Sequence, residues 1–162
     1  MIAYKFLRED GAGLFTSFAW PAPGEWVEAP AEECRSGVHA CRVGDLPFWV
    51  ARNLWEVELD GEVYEGRTKV VATRGRLVRR IEQWDEEARD DYVAMCAERA
   101  HELAASAGPG WDAVIEPSRP EGPALLGFIA ARIAEELDGP EAYYGERASQ
   151  AGWLVDRLGL RA

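Results

Sequence analysis

Arg76-Leu-Val-Arg-Arg-Ile-Glu-Gln-Trp-Asp-Glu-Glu87 divides the chain in two. Its first half, Arg76 to Ile81, mixes Leu77, Val78 and Ile81 with three arginines and reads as the last strand of a sheet. In its second half Asp85 stands as an N-cap, with Glu86 and Glu87 at the positive end of the helix dipole. The reading is an α+β protein: a twisted, mainly antiparallel sheet with one short helix over residues 1–84, then an acidic three-helix segment over residues 85–162, packed on the sheet or beside it.

Upstream of this boundary, short apolar stretches alternate with turn residues. Ile2 to Leu7, Phe15 to Trp20, Trp26 to Val27 and Val38 to Cys41 read as strands. Leu54-Trp-Glu-Val-Glu-Leu59 has period two, with Leu54, Glu56 and Glu58 on one face and Trp55, Val57 and Leu59 on the other. Asp60-Gly61 reads as a tight turn into Glu62-Val-Tyr64, and Lys69 to Ala72 and Arg76 to Ile81 complete a sheet of five to seven strands. Asp45-Leu-Pro-Phe-Trp starts with a cap residue and carries proline in its first turn, which predicts one short helix.

Downstream, the helix capped by Asp85 runs to about Ala107, where Gly108-Pro-Gly110 ends it. A proline-rich loop is expected from Glu116 to Pro123, then helices over roughly Ala124 to Leu137 and Pro140 to Leu158. Leu125, Ile129, Ile133 and Leu137 form one apolar stripe; Tyr144, Ala148, Ala151, Val155 and Leu158 form another.

The net charge of -11 is uneven: residues 1–84 hold 11 basic against 13 acidic residues, and residues 85–162 hold 7 against 16. Such a surface repels phosphate backbones and anionic lipid, which argues against general nucleic-acid or membrane binding. Arg67, Lys69, Arg74, Arg76, Arg79 and Arg80 form a local basic patch, and with Glu58, Asp60, Glu62 and Glu65 just upstream the simplest reading is cross-strand ion pairing. There is no apolar run near the roughly 18 residues a membrane helix needs. Met1 to Phe6 carries no secretion signal and the three cysteines have no framework spacing, so a cytoplasmic protein with free thiols is expected.

Cys34-Arg-Ser-Gly-Val-His-Ala-Cys41 concentrates the reactive side chains. As a zinc site it lacks the usual paired spacing, and Cys96 and His101 are about 140° apart around a helix and cannot both supply the missing ligand. No metal and no cofactor is therefore expected. In a strand from Val38 to Cys41, His39 and Cys41 share a face, which makes them the candidate catalytic pair. Tyr4, Lys5, Trp20 and Trp26 are the candidate ligand-binding residues, with Lys5 neutralising an anion and the two tryptophans flanking a Pro/Gly loop. His101 is placed on the polar side of its helix, and Cys96 reads as a buried small hydrophobe.

Tyr4-Lys5, Gly24 to Trp26, the Cys34 to Cys41 segment, Val57-Glu-Leu-Asp-Gly61 and Lys69-Val-Val-Ala72 together resemble an uncharacterised bacterial and phage family over about residues 1–84. That resemblance implies a fold-sized module and no particular activity. Gly37 to Cys41, the short helix, Leu54 to Gly61 and Gly75 to Trp84 are also ordered like the elements of small ADP-ribosyltransferases of the rifamycin-modifying type. This second resemblance implies a split sheet whose cleft holds His39 where those enzymes hold a tyrosine near the nicotinamide. Tyr4-Lys5-Phe6 stands where they carry His-Gly-Thr, so architecture rather than NAD binding is what it implies. Two functions are expected from these readings: a small-molecule-binding or transferase-like module taking a small-molecule or nucleotide ligand around His39, or a non-catalytic module contacting a protein partner through its acidic helices.

Overall fold

The computed structural model describes residues 1–16, 18–31, 36–108 and 110–161, so Cys34 lies outside the described residues. The chain forms two compact units: Met1–Glu82 together with the chain end from Arg161, and Gln83–Leu160. The first is the antiparallel sheet and the second is helical, in keeping with the α+β expectation.

The first unit contains β1 (Ile2–Leu7), β2 (Val27–Glu28), β3 (Val38–Ala40), a 3-10 helix (Val43–Phe48), β4 (Asn53–Glu65) and β5 (Val70–Arg80). β4 pairs with β1 on one edge and β5 on the other, while the far edge of β5 carries β2 and β3. Tyr4 and Cys41 then exchange both backbone N–H···O bonds at 2.8 Å, so the chain leaving β3 pairs back onto β1. Through this bridge β1, β4, β5 and β3 follow one another around a ring. Period-two alternation sends Ala3, Leu7, Val38, Ala40, Val57, Leu59, Val70, Ala72 and Leu77 to a common core, with Trp20, Val27 and Trp55 packed against it.

Several local expectations are corrected. Asp60-Gly61 is not a turn: Gly61 has φ +76° and, with Glu62, stands opposite Thr73 alone as a bulge inside one 13-residue strand. The hairpin turns instead at Gly66–Lys69, where the Gly66 N–H donates to the Lys69 carbonyl at 2.8 Å. Lys69 to Ala72 and Arg76 to Ile81 fuse into the single β5. Among the described residues of the strand expected from Phe15 to Trp20, Ala19 alone makes a bridge, to Ala12. Asp45 is inside the 3-10 helix rather than capping it, and accepts from Arg42 Nε at 2.6 Å.

Gly75 lets β5 approach its neighbours at the centre of this unit. A Cβ there would lie 2.6 Å from Val38 Cγ1 and 3.1 Å from Leu59 Cδ2. Gly75→Ala is therefore expected to cost about 1–2 kcal/mol by overpacking, read in urea denaturation, and a variant as stable as the parent would contradict the close approach.

The second unit contains α1 (Glu86–Ala107), α2 (Asp112–Ser118), a 3-10 turn (Arg119–Glu121), α3 (Pro123–Asp138) and α4 (Pro140–Leu158). Asp85 caps α1 by accepting from the Ala88 N–H at 2.8 Å, and prolines open α3 and α4. The stretch expected as a loop from Glu116 to Pro123 is half helical, through α2 and the 3-10 turn. α3 packs on both α1 and α4, centred on Leu126, Ile129, Ala130 and Ile133. The stripe expected on α4 holds at Ala151 and Leu158 but not at Ala148, which is exposed; the buried face also takes in Glu146, Arg147, Gln150 and Leu154. No helix of the described residues is long and apolar enough to cross a membrane.

His101 is 36% exposed and sits between two carboxylates of α2, with Nδ1 at 3.2 Å from Asp112 and Nε2 at 2.8 Å from Glu116. These hydrogen bonds, Glu116 first, raise its pKa above the usual imidazole value. A raised folded-state pKa gives stability that is present in full below the unfolded pKa of about 6.5 and is lost as pH rises through the folded value. His101→Ala is expected to remove that slope while costing only a few tenths of a kcal/mol, since the pairs are solvent-screened. Identical pH–stability profiles for parent and variant would contradict the pairing.

Candidate functional site

The candidate residues of the sheet unit are sorted by strand alternation. On β1, Ala3, Lys5 and Leu7 share a face, and Tyr4 and Phe6 share the other. On the segment from Val38 to Cys41, Val38 and Ala40 point to the core, and His39 and Cys41 away from it. Tyr4 and Lys5, adjacent in sequence, therefore serve opposite sides of the sheet.

Cys41 is buried, and its Sγ donates to the Tyr4 carbonyl at 3.4 Å. Burial, reinforced by the charge of Asp45, pushes its thiol well above the usual cysteine range. It stays protonated near neutral pH and is no activated nucleophile. Cys96 is likewise buried, its thiol pushed up to about 12 by burial. The His39 ring faces the Gly37 carbonyl through Nδ1 at 3.1 Å, which assigns the proton to that nitrogen because a carbonyl only accepts. The structure thus places His39 and Cys41 on one face, but gives the pair no ionisable thiol.

Tyr4 is buried and its hydroxyl is tied to the backbone of Arg161, donating to the carbonyl at 3.0 Å and accepting from the N–H at 3.2 Å. With Ile2, Glu56, Arg79 and Arg161 it lines a shallow hollow of about 590 Å³. Trp26 lies elsewhere, with the guanidinium groups of Arg74 and Arg76 over its ring at 4.1 and 4.5 Å from the centroid. Those arginines pair with Glu28, Asp60 and Glu58, and Arg79 pairs with Glu56, so three of the six residues of the basic patch, Arg74, Arg76 and Arg79, form a cross-strand ladder.

Lys5 is placed differently from the arginines of this ladder. It stands between Ala3 and Leu7 on the core-facing side of β1, opposite Trp55 of β4. Its Nζ donates to the His39 carbonyl at 2.5 Å and lies 5.2 Å from the centroid of the Trp20 ring, which Phe18 meets edge-on at 6.1 Å. No carboxylate among the described residues forms an ion pair with it. Desolvation by this apolar wall lowers its pKa to about 8. Of the six candidate residues, the structure brings together Lys5, Trp20 and His39, the last through its backbone carbonyl rather than its ring, and joins Cys41 to Tyr4 with Lys5 near enough to act on the thiol electrostatically. The approach of Trp55 to Lys5 follows from strand register, which no local pattern encodes.

Among the described residues no group of His, Cys, Asp and Glu side chains has the arrangement of a metal site. The second unit holds a polar cluster that hydrophobic periodicity missed. Gln150 Oε1 accepts from Arg147 at 3.0 Å and from the Tyr92 hydroxyl at 3.3 Å, and its Nε2 donates to the Gly127 carbonyl at 3.0 Å. Glu146, also buried, accepts from Arg99 at 3.1 Å. All of these atoms face one another, which is the arrangement of a packing device.

No curated protein and no solved structure matches the chain. Residues 1–89, more than half of the chain and all five strands, match the family described as a domain of unknown function, DUF7666. The protein belongs to that family.

Proposed function

We propose that the sheet unit is a small-molecule-binding module that holds its ligand at the amine of Lys5 against the Trp20 ring. The observation that carries this reading is the placement of one lysine amine on the core-facing side of β1, anchored by the His39 carbonyl and without a carboxylate partner. A cation so placed is costly to a fold and has the donors to orient a polar ligand, since the His39 carbonyl takes one of three N–H groups. An aromatic face beside it supplies apolar contact of the kind ligand sites combine with a few polar groups. Binding rather than thiol-based transfer is proposed, because Cys41 is protonated and enclosed.

The test is a thermal-shift screen of small polar metabolites and nucleotides, with hits repeated on Lys5→Met and Trp20→Leu. A ligand at a hundred times its Kd stabilises the parent by about 2.7 kcal/mol, and both variants should lose that gain. Hits that stabilise Lys5→Met as much as the parent would place the ligand elsewhere and defeat the reading.

A further inference from the structure

We propose that Lys5 is an imine-forming lysine, and that the ligand of this site is a small aldehyde or ketone held reversibly through its carbonyl carbon. The inference deepens the binding reading above and rests on it. Its basis is that every contact around the amine suits a cationic nitrogen bonded to carbon as well as it suits an ammonium. The His39 carbonyl, which now accepts from Nζ at 2.5 Å, can accept the single N–H of a protonated imine. The Trp20 ring, 5.2 Å away, faces the same positive charge before and after reaction. Ala3 and Leu7 on either side, and Trp55 opposite, keep counter-charges away, and no ion pair from the described residues must be broken for the nitrogen to react.

In the reaction the neutral amine's lone pair attacks the carbonyl carbon to give a carbinolamine. The carbonyl oxygen then leaves as water, carrying both protons of the amine, and the imine takes up a proton from solvent. No electrons are transferred, and hydrolysis reverses every step. The lowered basicity of Lys5 supports this use. With a pKa near 8, roughly one molecule in ten carries the neutral amine at pH 7, against roughly one in three thousand at the ordinary value of 10.5.

The chain offers a clean test because its only lysines are Lys5 and Lys69. The full chain is incubated at pH 7 with glyoxylate or pyridoxal and reduced with borohydride, which converts the imine to a stable secondary amine. Modified sites are mapped by peptide mass spectrometry. The matching alcohols, glycolate and pyridoxine, are titrated in parallel against ¹³C-methylated protein by NMR. Labelling of Lys5 at least tenfold above Lys69, lost in Lys5→Arg, is expected; arginine keeps the charge but cannot form an imine. Equal labelling of the two lysines would overturn the imine. No labelling of Lys5, with its NMR signal moved by the alcohols, would also overturn the imine while leaving the binding module standing. Neither labelling nor a moved signal would overturn both.

Discussion

Replacing Gln150 with leucine is expected to destabilise the helical unit by about 2–4 kcal/mol, although leucine is the better helix former and similar in size. Gln150 is 1% exposed and serves Arg147, Tyr92 and the Gly127 carbonyl at once. Leucine leaves buried donors that have lost an acceptor, and an unmet buried donor costs more than a made hydrogen bond contributes. Gly127 closes off an easy rearrangement: a Cβ there would lie 3.1 Å from Arg147, Gln150 and the Tyr92 hydroxyl together. Gln150→Glu keeps an acceptor for Arg147 and Tyr92 and should lose less. Urea denaturation of the three proteins measures the order, and a leucine variant equal to the parent would show that the cluster contributes no net stability.

Lys5→Met should act in the opposite direction, raising stability at pH 7 by about 1–2 kcal/mol while abolishing ligand binding. The folded pKa of Lys5 is depressed, from 10.5 to about 8. Between these values the unfolded chain binds more protons than the folded one, so this group makes stability rise with pH from 8 to 10.5. Below pH 8 its full cost is present, and above 10.5 it is gone. The whole shift corresponds to about 3 kcal/mol, reduced here because part of the side chain is exposed and because methionine forgoes the hydrogen bond to His39 and the Trp20 contact. The difference between variant and parent should be constant below pH 8 and shrink toward pH 10.5. A Lys5→Met protein less stable than the parent at every pH would mean that Lys5 serves the fold and not a ligand.

Much of the fold was legible because local chemistry encodes it. β1 lies at Ile2–Leu7 as its pattern predicts, Asp85 caps α1, and Pro123 and Pro140 open their helices. Asp60-Gly61 misled because the same dipeptide suits a hairpin turn and a bulge, and only the 13-residue length of β4 decides between them. The bridge from Tyr4 to Cys41, 37 residues apart, is made by two backbone hydrogen bonds to which the Cys41 thiol adds a third, and backbone pairing leaves no side-chain pattern. On α4 the apolar stripe finds Ala151 and Leu158 but not the polar part of the buried face, Glu146, Arg147 and Gln150, where hydrophobic periodicity is blind. At the site, Lys5 and Trp20 were named from sequence and do converge. His39 was named for its ring and contributes its carbonyl, a role open to any residue at that position.

The placement of Lys5 is tested by titrating its amine directly. Reductive ¹³C-methylation of the full chain gives resonances for two lysines and the N-terminus, assigned with Lys69→Arg. A Lys5 midpoint near pH 8 is expected, with displacement of that resonance, but not of Lys69, on adding a ligand from the screen. A Lys5 midpoint near 10.5, with a resonance indifferent to every ligand that stabilises the protein, would contradict it.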